Sequence, residues 1–234
     1  MLIDLFAEGF EERELGEEYE LAAYTARVDA ASLLAALGPV TETPVAAGWE
    51  SAWRSFHRPV RIGPLWLGPP WEAPDDGAAA VVIDPGRAFG TGSHPTTRLC
   101  LELLLGVEPS GLVDLGCGSG VLAVAAARLG FSPVIALDAD EASVDATRAN
   151  AAANGVTVEA RLADVLADPL PAVPVAVANI ARDPVERAAD RFAGYVFVAS
   201  GYLVGEQPAP AGWHVTERRE ADGWAADILS RVSG

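Results

Sequence analysis

From residue 79 onward the chain alternates short apolar runs with longer stretches of helical periodicity. The runs 81–84, 112–115, 134–138, 157–160, 173–178 and 195–200 predict strands. Between them, residues 95–105, the segment after Ser119 and an alanine-rich stretch over 140–154 predict helices. The last of these is capped by Asp140 and ended by Asn154-Gly155. A further helix opens at Asp183-Pro184-Val185-Glu186, with Asp183 as N-cap, Pro184 in the first helical position and Glu186 completing a capping-box variant. Residues 213–219 and 224–231 predict a closing hairpin. Such β-α alternation implies a mostly parallel sheet covered on both faces. Ligands then sit at the carboxyl ends of the strands.

The chain before residue 79 is less regular. Residues 1–48 predict a strand over 19–25, a helix over 29–37 closed by Gly38-Pro39, and a second strand over 41–45. This is too little chain for a comfortable core of its own. Residues 49–78 hold four of the six tryptophans and a cluster of prolines. The stretch 59–71 reads as extended connector, and Pro74-Asp75-Asp76-Gly77 as a turn. The expected organisation is a small N-terminal region (1–48), a Trp/Pro-rich linker (49–78) and a main α/β domain (79–234).

Asp114-Leu115-Gly116-Cys117-Gly118-Ser119-Gly120 falls between a predicted strand and a predicted helix. Its glycines tolerate positive φ and let a backbone pass close beneath a ligand. Asp138 closes the next predicted strand, where a carboxylate can accept hydrogen bonds from a ribose diol. The pattern points to a nucleoside-bearing cofactor. A dinucleotide fingerprint would need a third glycine at Val121, and Asp114 would be a poor neighbour for a pyrophosphate. S-adenosylmethionine carries a sulfonium and an ammonium instead, and Asp114 suits both.

Composition narrows the partners. Half the residues are hydrophobic, enough for a sizeable core, yet no apolar run reaches the roughly 20 residues of a membrane span. The opening residues turn acidic at once, unlike a signal peptide. Cys100 and Cys117 show neither metal nor disulfide spacing and read as buried reduced thiols of a cytoplasmic protein. No metal is expected. The net charge of −17 disfavours a nucleic acid backbone and favours a basic protein partner, although a generally acidic cytosol would select the same surface.

A second chemistry-bearing stretch runs from Asp84 to Thr97 as D-P-G-R-A-F-G-T-G-S-H-P-T-T. Here Phe89, Gly90 and Thr91 lead toward a helix whose first amides lack partners. The loop could cradle a carboxylate, including the methionyl end of the donor, with Thr96 or Thr97 adding a hydroxyl. Phe89 and Trp71 could face a sulfonium through cation–π attraction or serve as packing. His94 reads as a structural loop residue rather than a base.

This loop, the D-L-G-C-G-S-G-V-L-A turn and Val177-Ala178-Asn179-Ile180 occur in an order and spacing that resemble the methyltransferase of large-subunit ribosomal protein eleven, the PrmA type. The resemblance runs from about Trp49 to near Tyr202. The glycine turn alone would indicate only the class I methyltransferase superfamily. The resemblance implies a Rossmann-like fold with a seven-stranded, mostly parallel sheet and a small α+β N-terminal domain. It implies donor contacts at Thr97, Gly116, Asp138 and Asn179, with Asp164 as an adenine contact shared by the wider superfamily; Gly118 and Gly120 join them as cofactor-binding positions of the glycine turn. It further implies methyl transfer to lysine side-chain and N-terminal amines of a ribosomal protein. The N-terminal part, where the family carries a ferredoxin-like recognition domain, reads as shortened, and the stretch after Tyr202 as abbreviated.

Asn179, at a strand end, is suited to accept an amine hydrogen and aim the lone pair; it could instead cap the turn. No general base is assigned. No membrane contact is expected, and a monomer is. Other acceptors stay open, among them an electron-transfer flavoprotein subunit or a small molecule. So do a nicotinamide-dependent oxidoreductase and a catalytically silent binder.

Overall fold

A computed structural model describes residues 10–15, 18–23, 58–84 and 92–231. The chain divides into two units, Met1–Ser51 and Ala52–Gly234. In the first, β1 (Phe10–Leu15) and β2 (Glu18–Ala23) pair antiparallel, from Phe10 opposite Ala23 to Leu15 opposite Glu18. β2 overlaps the strand predicted over 19–25. β1 was not anticipated, because its run of charged residues hides any apolar alternation. The helix predicted over 29–37 and the strand over 41–45 lie outside the described residues.

The second unit begins with a correction. Residues 59–71, expected as extended connector, form β3 (Val60–Ile62) and β4 (Leu65–Gly68), an antiparallel hairpin turning at Gly63-Pro64. Its cause is burial: Ile62, Leu65, Trp66 and Leu67 are all at most 3% exposed, so this is a core strand. The Trp66 ring folds over Gly68, where an added Cβ would meet ring carbons at 2.3 Å. β5 (Ala79–Val82) joins parallel to β4, completing a three-stranded sheet. The predicted turn at 74–77 is present, with the Ala78 N–H donating to Asp75 O.

The remaining elements are α1 (Pro95–Leu104), β6 (Leu112–Leu115), α2 (Val121–Arg128), β7 (Val134–Asp138), α3 (Glu141–Ala153) and β8 (Glu159–Leu162). They are followed by β9 (Val175–Asn179), α4 (Arg182–Arg191), β10 (Val196–Leu203), β11 (Trp213–Ala221) and β12 (Trp224–Arg231). A seven-stranded sheet runs in the order β11-β12-β10-β9-β6-β7-β8. The pairs from β10 to β8 are parallel, while β12 pairs antiparallel with both β10 and β11. This is the Rossmann-like class I methyltransferase architecture that the resemblance implies, and the closing hairpin is where the sequence predicts it.

The central strands β6, β7 and β9 are buried on both faces. Leu112, Val134, Ala136, Val175 and Val177 pack into one core with α1, α2 and α3, whereas Val113, Leu115, Ile135, Leu137, Ala176 and Ala178 pack into a second core with α4. Alternation of side chains along each strand produces this division. Six of the eight residues of α2 are Ala or Val, short enough to let it lie flat on the sheet.

α4 departs from expectation. It starts at Arg182 with Ala181 as N-cap and no side-chain cap bond. Asp183 is therefore inside the helix, where its carboxylate pairs with Arg182 at 2.8 Å and still favours the positive helix end. Glu186 accepts from Ala209 N instead of closing a capping box. By contrast, Asp140 caps α3 as predicted, accepting from Ala142 N, and Gly155 follows it at φ +63°.

Three polar residues line one face of α3: Thr147, Asn150 and Asn154, all at most 5% exposed. Asn154 treats β5 as a neighbouring strand would. Its Oδ1 accepts from Val82 N at 2.8 Å and its Nδ2 donates to Val82 O at 2.6 Å. Side-chain amides thereby satisfy a strand edge that no other strand pairs. Asn154→Ala orphans both Val82 groups and should cost about 3 kcal/mol of stability. Urea denaturation reads this as a lower midpoint at unchanged slope.

Candidate donor-binding site

The strand order reverses between β6 and β9, and the carboxyl ends of β7, β6 and β9 stand side by side there. Of the sequence-predicted site residues within the described part, Asp114, Gly116, Gly118, Gly120, Asp138 and Asn179 belong to these ends or to the turn after β6, while Asp164 follows β8 and Thr97 lies in the first turn of α1. Phe89, Gly90 and Thr91 lie outside the described residues.

The turn after β6 is bent by three glycines in left-handed backbone, with φ of +80°, +53° and +80° at Gly116, Gly118 and Gly120. Two of them are also required by close packing. A Cβ on Gly116 would meet Ile180 Cγ2 at 2.7 Å, and one on Gly120 would meet Thr147 Oγ1 at the same distance. Asp138, at the end of β7, accepts from Gly118 N at 2.9 Å through Oδ2 and from Asp140 N at 3.0 Å through Oδ1. The carboxylate is thus fixed against the turn and remains half-buried, with lone pairs to spare for a diol.

Asp114 lies one residue from the end of β6, on the face toward α2. It is 1% exposed, and its Oδ2 accepts from Ala123 N at 3.1 Å. Its Oδ1 is buried and has no hydrogen-bond partner among the described residues. Burial pushes this carboxyl up to about 7; the Ala123 N–H pulls it back and the nearby charge of Asp138 adds to the rise. Cys117, in the turn itself, is a buried free thiol pushed by burial up to about 12, as expected of an inert cysteine.

Asn179 and Thr97 come together across the site. The Asn179 amide donates to Thr97 Oγ1 at 3.2 Å, joining the end of β9 to the first turn of α1. Thr97 is 1% exposed, whereas Asn179 and the following Ile180 are half-buried. The backbone of Ile180 presses against Gly201 (φ +104°), where a Cβ would stand 2.1 Å from Ile180 O. His94 has the structural role expected of it: it is the N-cap of α1, and its ring Nδ1 lies 2.8 Å from Thr96 Oγ1. Trp224 packs edge-on against that ring, centroids 5.0 Å apart.

Asp164 follows β8 at the same end of the sheet, exposed, with Oδ1 accepting from Leu166 N at 2.8 Å. Trp71 is half-buried in the turn after β4. Sequence reasoning missed Thr147, Asn150 and Gly201. The first two left a signal, a pair of polar residues one helical turn apart on an alanine-rich helix. Among the described residues, no cluster of three His, Cys, Asp or Glu could hold a metal, and no helix is long and apolar enough to cross a membrane.

The raised Asp114 carboxyl carries a pH signature. The native state binds its proton up to about 7, while the unfolded chain releases it near 3.8. This contribution to stability is therefore complete below the unfolded value and is lost as pH rises toward the folded one. Asp114→Asn removes it. Urea midpoints between about pH 5 and pH 8 should fall with rising pH more steeply in the natural protein than in the variant.

The comparisons with known proteins agree with this geometry. The profile of the family described as ribosomal protein L11 methyltransferase (PrmA) matches residues 13–228. A ribosomal protein L11 methyltransferase of Symbiobacterium thermophilum is 41% identical over 199 residues, which is 78% of this chain and 66% of that protein. The corresponding protein of Azotobacter vinelandii is 40% identical over 229 residues, 87% of this chain and 78% of that one. Among solved structures, a ribosomal protein L11 methylase from Lactobacillus delbrueckii subsp. bulgaricus superposes with a TM-score of 0.66 at 29% identity, covering 75% of this chain and 99% of that one. The chain belongs to the ribosomal protein L11 methyltransferase (PrmA) family.

Proposed function

We propose that this protein binds S-adenosylmethionine across the carboxyl ends of β7, β6 and β9 and methylates lysine side-chain and N-terminal amines of ribosomal protein L11. The observation that carries the reading is convergence at the strand-order reversal. There the glycine turn, the turn-bound Asp138 carboxylate and the Thr97–Asn179 pair occupy three adjacent strand ends. Family membership supports the acceptor, and a net charge of −17 favours a basic protein over a nucleic acid. In this reading residues 1–48 contribute to acceptor recognition, and the protein works as a cytoplasmic monomer.

The residues fit the donor. Asp138 would hold the ribose hydroxyls, the turn at Gly116, Gly118 and Gly120 would pass beneath the nucleoside, and Asp164 would approach the adenine. The unpartnered Oδ1 of Asp114 is a buried carboxylate oxygen suited to a cationic neighbour. Thr97 would reach the methionyl end, with Phe89, Gly90 and Thr91 as proposed contacts of the same loop.

The donor supplies an electrophilic methyl group, and displacement by an amine lone pair forms the N–C bond as the C–S electrons leave with sulfur. An ordinary lysine, pKa about 10.4, is about one part in a thousand neutral near pH 7.4, a cost of about 4 kcal/mol. Half-buried surroundings beside Ile180 favour the neutral amine by desolvation, and solvent takes the proton before attack. Asn179 then accepts a remaining amine hydrogen and aims the lone pair, held in place by its bond to Thr97. No side chain is needed as general base.

Incubation with tritiated donor and purified ribosomal protein L11, followed by mass mapping, tests the reading. Label on L11 amines is expected; label on an electron-transfer flavoprotein subunit alone, or on neither protein, overturns the acceptor assignment. Asn179→Ala should lower kcat about 100-fold at saturating donor and acceptor. Equal rates for the two proteins would remove the proposed role of Asn179.

A further inference from the structure

Three of the five residues of the turn are glycines, and neighbouring side chains hold its backbone. Three consecutive peptide units are each held from outside. The Gly118 N–H donates to Asp138 Oδ2 at 2.9 Å. The Gly118 carbonyl accepts from Thr147 Oγ1 at 3.1 Å. The Ser119 carbonyl accepts from Asn150 Nδ2 at 2.8 Å. Because each peptide is planar and trans, holding a carbonyl also sets the direction of the N–H on its far side. Thr147 and Asn150 therefore set the orientation of the Ser119 and Gly120 amides.

We propose that Thr147 and Asn150 are positioning residues for the methyl donor, a clamp on one face of α3 that preorganises the glycine turn. The proposal rests on the functional reading above and extends it to residues that touch only the back of the turn. Both are buried, 0% and 4% exposed, and lie one helical turn apart, so they reach successive carbonyls. Asn150 does a second thing. Its Oδ1 accepts from Asp84 N at 3.1 Å, so one side chain ties the turn to the end of the three-stranded sheet. Thr147 also fills the space beside Gly120, where any Cβ would collide with it. Glycine loses more backbone freedom on ordering than any other residue, so a turn with three of them gains the most from being held before the ligand arrives.

Asn154 is the internal control, since it lies on the same face and reaches only β5 and its own helix. The test uses Thr147→Val, which keeps the shape and removes the hydroxyl, and Asn150→Asp, which keeps the acceptor for Asp84 N and removes the donor to Ser119 O. Thr147→Ser is the conservative rescue and Asn154→Ala the stability control. Calorimetry with S-adenosylmethionine and S-adenosylhomocysteine is run at a temperature where each variant is folded, alongside steady-state kinetics and thermal denaturation.

Thr147→Val and Asn150→Asp should each raise the donor Kd and KM about tenfold, with kcat at saturating donor and acceptor KM changed less than about twofold. Thr147→Ser should bind as the natural protein does, and Asn154→Ala should lose Tm without losing donor affinity. Donor binding within about twofold of the natural protein in both test variants overturns the clamp, as does an Asn154→Ala variant that weakens binding equally. If the natural protein itself binds no donor, the functional reading falls, and amide hydrogen exchange decides the clamp separately. Exchange at Gly120, whose N–H bonds Cys117 O, should then speed up in Thr147→Val and not in Asn154→Ala.

Discussion

A turn with glycine at three of its five positions must be fixed largely by its neighbours, and the architecture around β6 follows from that constraint. Between Leu115 and Val121 the chain reverses through three left-handed glycines, a conformation that side chains resist and that glycine reaches at an entropic cost. Support comes from three directions: Asp138 from β7, Thr147 and Asn150 from α3, and Ile180 from the end of β9. The parallel order of β7, β6 and β9 brings those elements to one end of the sheet. The order of strands thus matters to the site because it determines which side chains can reach the turn.

The same turn explains the cost of burying Asp114. Its position along β6 points it toward α2, into an apolar core. Burying a carboxyl there costs free energy unless it is bonded, and only one of its oxygens is. The bonded oxygen holds the N–H of Ala123, in the first turn of α2, so the helix start is fixed beneath the turn it follows. A carboxyl buried at such a cost accords with the donor-binding role proposed for Asp114. Buried groups with displaced pKa values concentrate at such sites.

Legibility from sequence differed by element for physical reasons. β6 and β7 match their predicted bounds, because continuous apolar runs ended by acidic or glycine residues have one reading. β5, β8 and β9 are shifted by one or two residues, as expected where edges fray into loops. The hairpin of β3 and β4 was obscured by its prolines, which mark its ends and turn rather than a connector. Asp183 was read as a cap because the Asp-Pro signature describes local preference; the Arg182–Asp183 pair and the packing of Val185, Ala188 and Ala189 let the helix begin earlier. Within the site, residues that would touch a ligand were legible through the glycine pattern and the family resemblance. Thr147, Asn150 and Gly201 were not, since each acts on backbone brought close only by folding.

Gly201 shows how donor and acceptor sides are joined. β10 pairs with β9 as far as Ser200 opposite Asn179, and its pairing with β12 slips between Ser200 and Tyr202. That irregularity centres on Gly201, whose missing side chain leaves room for the Ile180 carbonyl. On its other side Ile180 lies against Gly116, the first glycine of the turn. The Asn179-Ile180 strand end is therefore wedged between Gly116 of the glycine turn and Gly201 in the neighbouring strand. A shift in either glycine would move Asn179, and with it the group proposed to aim the amine. In the proposed reading, geometry on the donor side and on the acceptor side would be coupled through this close packing, and in-line alignment would follow from packing that exists before either substrate binds.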